Sequence, residues 1–325
     1  MKYYKVLLLF ITISAICDAN ATIRKVKPGD NLYSIIRKST AADTIMIDGG
    51  EYVIDKTIVL TNDLVIIGMP GSKPVINWGV VAIGSKTKNV VFDNLKIVLD
   101  RKYFLQIDGE KDIDIDNIIF RNCIVDLNAV GSTLLANNAT GTKNRLGNYT
   151  IENSIVYNVT VPSHAILNFS VENQPQLEHI SLTNSTFSNF SRGLMISKQL
   201  AGKLSIDVSN CTFYNMNTSN NNSGIFRCSQ GEVDINIAKS IFNFAGNSTK
   251  FIVTSTESRA GVTDSYRTSE LATIINSRGL KSVGITAVDL FEAPNDNPTA
   301  TGCSFTIKDK SLSEIRIGDP RWFKK

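Results

Sequence analysis

The sequence predicts an all-β chain wound into a solenoid, and a recurring four-residue unit is the first reason. The unit has Asn or Lys, then Cys or Ser, then two residues that favour strands, and it begins at residues 122, 153, 184, 210 and 239. Successive copies lie 31, 31, 26 and 29 residues apart. Self-similarity at a period of roughly 20–50 residues is typical of solenoids, in which each repeat buries its apolar face against its neighbours.

The composition of the repeats is the second reason, because it indicates strands and not helices. Ile, Val, Phe and Thr dominate each repeat, while Asn, Asp, Gly and Ser separate the apolar runs. Short strands joined by turns have this distribution. No helical pattern of useful length interrupts residues 90–255. We therefore expect about nine or ten coils of about 28 residues each.

Residues 1–21 are predicted to be an export signal that does not belong to the fold. Two lysines precede an apolar stretch over residues 6–16, and Ala19-Asn20-Ala21 is a small-x-small cleavage site. The apolar stretch is too short to span a bilayer. Lipid attachment at Cys17 is a less favoured alternative, because Ile16 stands where a lipobox prefers Gly, Ala or Ser. We expect the mature chain to be secreted, periplasmic or held at the cell surface.

Charge and hydropathy limit the partners of the mature chain. After the signal, no segment is apolar for long enough to cross a membrane. A net charge of +4 is mild for 325 residues, and no basic cluster alternates with aromatic residues, so nucleic acid is not expected. A mild positive charge suits an anionic polysaccharide. We expect a monomer with a polysaccharide partner.

The four cysteines that remain after cleavage are predicted to be free thiols. Cys123 and Cys211 occupy a repeat position that Ser154, Ser185 and Ser240 also fill. A position that accepts either residue is a small buried one, where free cysteine packs as a small hydrophobic residue. The chain has no Cys-x-x-Cys spacing and no cluster of histidines, so no metal site is expected.

The start of the mature chain is predicted to cover the first coil. Residues 31–38 suit a short helix whose apolar side chains share one face, and strand-like segments follow between residues 43 and 60. Residues 26–35 also resemble the opening of a LysM peptidoglycan-binding module. That module needs a second helix where this chain has strands separated by glycines, so the capping helix is preferred.

Both ends of the chain resemble known β-helix proteins. The Gly-Asp…Asp-Thr-Ile…Gly-x-Tyr pattern that ends at Tyr52 resembles the entry cap of pectin-lyase-like parallel β-helices. The ending Gly318-Asp319-Pro320-Arg321-Trp322 resembles that of exported β-helix proteins of unknown function from glycan-degrading Gram-negative bacteria. The resemblance implies a single-stranded right-handed parallel β-helix over residues 22–285 and a C-terminal capping segment over 286–325. We expect this tail to fold over the last coil, with Trp322 as an apolar plug.

Candidate binding residues follow from the alternation of side chains along strands. Four consecutive coils contribute comparable strands, at residues 165–170, 193–198, 224–229 and 250–255. If the apolar residues of these strands point inward, Asn168, Lys198 and Arg227 point outward. Lys198 and Arg227 then come from adjacent coils, offset by one outward position. Two neighbouring cations repel each other, so a carboxylate or sulfate of a glycan bound between them would account for the pair.

This pair is also distantly similar to the Lys-then-Arg pair of the β-helix lyases related to chondroitinase B and alginate lyase. The resemblance implies that Lys198 removes the proton next to a uronate carboxylate, that Arg227 assists, and that calcium neutralises the carboxylate. This chain lacks the acidic calcium ligands of those lyases and has Ser191-Arg192-Gly193-Leu194 before the lysine. Arg192 is the candidate substitute for the missing cation, and calcium is expected as a cofactor only if the protein is a lyase.

Three further groups of titratable residues are predicted to be ordinary surface groups: His164 and His179; Asp112, Asp114 and Asp116; Glu232 and Asp234. The alternating aspartates are a less favoured calcium site. The last pair has a spacing that a glycoside hydrolase could use, but that spacing is common along any strand.

The sequence therefore predicts an exported protein that binds an anionic polysaccharide without strong catalysis. Its candidate binding residues are Asn168, Arg192, Lys198 and Arg227. One alternative is a polysaccharide lyase that cleaves a uronate polymer by β-elimination, with Lys198 and Arg227 as catalytic residues. A structural or adhesin-like surface protein is the other alternative, and the fold alone does not separate the three.

Overall fold

A computed structural model describes residues 22–324 except 41–42, 100, 108–111, 128–132, 138–143, 162–164, 170–175, 220–223, 246–249, 255–257, 271–273, 275–276 and 278. The side chains of residues 196–201 and 230 also lie outside this description. The predicted export signal, with Cys17, falls outside the described residues as well.

The described chain is mostly short strands, which we number β1 to β28. In chain order they are Ile23–Val26, Thr44–Ile47, Glu51–Ile54, Ile58–Leu60, Leu64–Gly68, Val75–Trp78, Val81–Ile83, Asn89–Asp93, Lys96–Leu99, Tyr103–Ile107, Asp114–Arg121, Ile124–Asp126, Thr133–Asn137, Arg145–Glu152, Ile155–Val159, Leu167–Phe169, Gln176–Thr183, Thr186–Phe190, Met195–Ser209, Thr212–Met216, Phe226–Ala238, Ile241–Phe244, Ile252–Val253, Arg259–Thr263, Tyr266–Arg267, Lys281–Ser282, Phe291–Ala293 and Ser304–Ile307.

These strands wind into a parallel β-helix with three faces. The first face contains β1, β2, β5, β8, β11, β14, β17, β24 and the second halves of β19 and β21. The second face contains β3, β6, β9, β12, β15, β18, β20, β22, β25 and β26. The third face contains β4, β7, β10, β13, β16, β23 and the first halves of β19 and β21. The ten strands of the second face mark ten coils in the described chain, as the sequence predicts.

Two long strands join the third face to the first. In most coils a break separates these faces, whereas β19 and β21 run through both. Gly202 and Gly231 lie inside these strands with positive φ angles of 74° and 117°, which residues with a side chain rarely adopt. These glycines let one strand turn the corner without ending.

The core is the interior of the helix, filled by inward side chains stacked coil upon coil. Phe187, Phe213 and Phe242 come from three successive second-face strands, with ring centroids 5.0 and 4.4 Å apart. Such stacking buries large apolar area while the strands that carry these rings stay paired in parallel with the next coil. The solenoid predicted from the repeat is confirmed, and the handedness stays a prediction.

The small repeat position is buried, as predicted. The amide of Cys123 donates to Oγ of Ser154 at 2.9 Å, and the amide of Ser154 donates to Oγ of Ser185 at 3.0 Å. The four described cysteines are free thiols, and Cys123 and Cys211 are fully buried. Sequence reasoning missed one further member of this row, Ser265, whose Oγ accepts from the amide of Ser240.

The N-terminal cap is the predicted short helix, α1, at Leu32–Arg37. Asn31 caps it, since its side chain accepts from the amide of Ser34 at 2.9 Å. Residues 43–60 form strands β2 to β4, so they do not supply the second helix of a LysM module. Strand β1, which pairs in parallel with β2, was not predicted.

The C-terminal segment forms a small unit of its own. It contains helix α2 at Ala287–Leu290, the antiparallel pair β27 and β28, helix α3 at Lys310–Glu314 and a 3-10 turn at Pro320–Trp322. Its apolar side chains form a second cluster, which includes Ile241 of β22.

This segment packs against the side of the helix, on the outer surface of the second face. Nε1 of Trp322 donates to Oγ1 of Thr186 at 2.8 Å, and that hydroxyl donates to Oδ2 of Asp319 at 2.7 Å. Thr186 lies in β18, four second-face strands before the last one. The expectation that Trp322 plugs the last coil is therefore wrong, because its polar edge finds a hydroxyl partner on the flank.

Candidate anion-binding site

Several cations on the first face, Arg145 and Lys88 among them, are neutralised by carboxylates of adjacent coils. Arg145 contacts Asp114 at 2.8 Å, Asp116 at 3.0 Å and Glu178 at 2.8 Å, and Lys88 also pairs with Asp114. These hydrogen-bonded carboxylates raise the pKa of the Arg145 guanidinium. Because stacked coils bring equivalent positions close together, opposite charges in adjacent coils are what a stable outer surface favours.

The corner at which the chain turns into the third face differs, because there two positive charges from adjacent coils lie near each other. There the amide of Leu194 donates to the carbonyl of Ile225 at 2.7 Å. A Cβ on Gly193 would lie 2.2 Å from the carbonyl oxygen of Gly224, so the two coils approach so closely that only glycine fits. Arg192 precedes this contact on one coil and Arg227 follows it on the next. The positive charge of Arg227 acts on the Arg192 guanidinium, so the two groups share one corner.

No described carboxylate pairs with either arginine of this corner. Burial, and then the positive charge of Arg227, lower the pKa of the Arg192 guanidinium. Nε of Arg192 is buried and has no hydrogen-bond partner among the described residues. A buried donor without a partner costs free energy that an anionic ligand can recover. We call this pair of side chains the arginine corner.

A buried amide near the arginine corner was not predicted from the sequence. The amide of Thr218 donates to the carbonyl of Phe190 at 3.1 Å, so Asn217 lies in the coil next to Ser191. Asn217 is fully buried, and neither Oδ1 nor Nδ2 of its side chain has a partner in the described chain. Its only sequence signal is an Asn directly after the buried end of a strand.

The strand register places the remaining predicted residues on the third face. Leu167, Met195, Phe226 and Ile252 pair in register and are buried, as the sequence predicts. The neighbouring row in the register is Asn168, Ile196, Arg227 and Val253. The structure thus aligns Asn168 with Arg227 two coils further on, but Asn168 is buried, at 9% exposure. The expectation that Asn168 points outward is therefore wrong, because all three residues of β16 pack inside the coil.

The position of Lys198 is defined by its backbone alone. In β19 it lies between Ser197, which pairs with Cys228, and Gln199, which pairs with Gln230. Lys198 is therefore level with Ser229, one outward position beyond Arg227, which is the offset that the sequence predicts. Its side chain lies outside the described structure.

The other titratable candidates are engaged in local pairs. Asp114 and Asp116 bind Arg145, as above, while Nζ of Lys203 lies 3.0 Å from Glu232 and 2.7 Å from Asp234. Nε2 of His179 lies 2.8 Å from Oδ2 of Asp207, and both side chains are partly exposed. His164 lies outside the described residues. Within the described residues, no group of three or more acidic, histidine or cysteine side chains could hold a metal ion.

Comparisons with known proteins identify a domain but no activity. A family model described as "Domain of unknown function (DUF5123)" matches residues 206–322, about a third of the chain. The match begins in the first-face half of β19 and ends at the 3-10 turn, so it spans the last coils together with the C-terminal segment. No curated protein matches the chain. None of the described helices combines the length and apolar character needed to cross a bilayer.

Proposed function

We propose that this protein is an exported β-helix that binds an anionic polysaccharide at the arginine corner. The observation that supports the proposal is the charge pattern. Arg145 and Lys203 of the first face meet carboxylates, whereas Arg192 and Arg227 come from adjacent coils, meet none among the described residues, and act on each other as like charges. Like charges brought together are unfavourable in the free protein, so a bound anion is the natural counterpart.

The chemistry of the corner suits a carboxylate or sulfate group. Guanidinium groups donate paired, parallel hydrogen bonds to such oxygens, and they lose less hydration than an ammonium group does. Adjacent coils are about 4.8 Å apart, so a polymer that runs along the helix axis can place successive charged groups over successive coils. Lys198 lies on the same third face and extends the proposed site along it.

Affinity electrophoresis tests the proposal directly. Native gels would contain polygalacturonate, alginate, chondroitin sulfate or, as the neutral control, dextran. We expect retardation by at least one acidic polymer and none by dextran. The double variant Arg192→Gln/Arg227→Gln should lose about a hundredfold in affinity, because two charge-assisted contacts are removed.

A matched variant separates a site from general positive charge. Lys308→Gln/Lys310→Gln removes the same number of charges from the C-terminal segment and should bind like the wild type. Equal weakening in both variants, or no weakening in the first, would contradict a site at the arginine corner. Thermal melting of both variants checks that the fold is intact, since exposed charges usually change stability by less than about 0.5 kcal/mol.

A lyase activity at Lys198 and Arg227 is the second candidate, and the register offset of these two residues favours it. A lyase would abstract the proton next to a uronate carboxylate, which requires the carboxylate to be neutralised by a cation. Arg192 is the residue beside Arg227 that offers such a charge. Incubation of the same polymers with and without calcium decides the question, because only β-elimination produces absorbing unsaturated ends. If the protein shows neither retardation nor product, the structural or adhesin-like role is favoured.

A further inference from the structure

The C-terminal segment and the second face line a cavity that shares no residue with the arginine corner. Its volume is about 320 Å³, and its lining includes Phe305, Thr306, Arg316, Trp322 and Phe323. Thr212 of β20 contributes the wall from the helix. This volume is at the small end of ligand sites, which begin at about 300 Å³, and it suits one or two sugar rings.

The aromatic walls of the cavity are held in place before any ligand binds. Trp322 is fixed through its Nε1 hydrogen bond to Thr186. The rings of Phe305 and Trp322 meet edge to face, with centroids 5.3 Å apart and an interplanar angle of 78°. Rigid aromatic rings offer apolar contact area at low entropic cost, which favours a ligand that has both flat apolar faces and polar edges.

Arg316 gives the cavity a positive charge that forms no ion pair with the described residues. The other charged lining residues have partners: Asp319 has Arg321, Lys324 has Glu292 at 3.6 Å, and Glu314 has Lys310 at 4.0 Å. Arg316 is exposed and makes no ion pair within the described chain.

The backbone at Arg316 also points to a role for its side chain. Arg316 follows helix α3 with a φ of 51°. Glycine is the residue that adopts this left-handed conformation without strain, and it is the usual residue after a helix. An arginine that keeps a strained conformation next to a cavity is a candidate for function.

We propose that this cavity binds a single acidic sugar, a hexuronate, with its ring against Trp322, which the buried Phe305 supports from behind, and its carboxylate on Arg316. Thr306 and Ser313 supply hydroxyl groups at the edge of the cavity. The proposal is independent of the arginine corner, which lies on another face and uses other residues. It gives the C-terminal segment a binding role in addition to packing.

Tryptophan fluorescence gives a direct readout, because the chain has two tryptophans in different surroundings. Trp78 is 1% exposed in the core, whereas Trp322 lines the cavity. In a Trp78→Phe background, glucuronate and galacturonate should shield Trp322 from acrylamide quenching in a saturable manner. Glucose, which lacks the carboxylate, should bind at least tenfold more weakly.

Two variants of Arg316 and one control complete the test. Arg316→Gln and Arg316→Gly should each weaken hexuronate binding about tenfold or more, and the glycine variant fits the positive φ and so preserves folding. Arg259→Gln removes an exposed arginine of β24 that does not line the cavity, and it should bind as the parent does. Arg192→Gln/Arg227→Gln should also leave this titration unchanged, so the outcome is separate from that of the polysaccharide test. Absence of shielding, equal binding of glucose, or full binding by the Arg316 variants would overturn the proposal.

Discussion

At the scale of single residues, the repeat unit works through two adjacent positions with different roles. Asn122, Asn153, Asn184 and Asn210 have φ between 47° and 55°, and Asn tolerates these angles better than most residues. The Cys or Ser that follows each Asn is buried and links coils through the hydrogen bonds described above. Both properties were predictable from the sequence, since they depend on local geometry that repeats with the coil.

The buried serine row leads to a prediction about Ser154. Its Oγ accepts from the amide of Cys123 at 2.9 Å and donates to the carbonyl of Glu152 at 2.7 Å. Ser154→Ala should lower the free energy of unfolding by about 1–3 kcal/mol, because a buried amide loses its acceptor. Cys123→Ser should change it by less than about 1 kcal/mol, since serine fills this position in neighbouring coils. Urea unfolding measures both, and a larger loss for Cys123→Ser than for Ser154→Ala would contradict the equivalence of the positions.

At the scale of elements, the docking of the C-terminal segment depends on one buried carboxylate. Burial raises the pKa of Asp319 even though the positive charge of Arg321 acts in the opposite direction. Nε of Arg321 lies 2.8 Å from Oδ2 of Asp319, but its N–H does not point at the carboxylate and makes no hydrogen bond. The contact is therefore an ion pair without hydrogen-bond alignment, and it offsets only part of the cost of burying the charge.

This arrangement predicts that Arg321→Gln is less stable than the wild type, and that the loss of stability depends on pH. The folded pKa of Asp319 is above its unfolded value near 3.8, so its ionisation opposes folding at neutral pH, and this cost fades as pH falls through the folded pKa. Loss of Arg321 should raise the pKa of Asp319 further. It should therefore lower the free energy of unfolding by about 2 kcal/mol near pH 8. The deficit relative to wild type should shrink as the pH approaches 4.

Thermal melting across this pH range checks the prediction, with two controls. Asp319→Asn/Arg321→Gln has no carboxylate at this position, so its deficit should not vary with pH in the same way. Lys308→Gln removes one positive charge from the same segment without touching Asp319, and it should melt like wild type. A deficit in Arg321→Gln that stays constant from pH 8 to pH 4 would show that the ionisation of Asp319 does not matter for docking.

At the scale of the whole molecule, the sequence predicts the structural features that repeat from coil to coil. It does not predict contacts between residues that are far apart in the chain. The buried third-face row of Leu167, Met195, Phe226 and Ile252 follows from alternation and period alone. The contact between Thr186 and Trp322 spans 136 residues, and no local pattern encodes it. The arginine corner is an intermediate case: both arginines are visible in the sequence, but their proximity depends on how closely Gly193 lets two coils approach.

The attachment of the C-terminal segment to the flank leads to a prediction about how stability is distributed. In a solenoid each coil contacts only its neighbours, so a local defect weakens nearby coils first. Trp322→Ala removes the hydrogen bond to Thr186 and the contact with Phe305, and it should cost about 2 kcal/mol. Hydrogen exchange should accelerate in β18, β20, β27 and β28, while β2, β5 and β8 exchange as in wild type. Uniform acceleration along all coils would mean instead that the C-terminal segment stabilises the β-helix as one cooperative unit, and that the coils do not respond as separate neighbours.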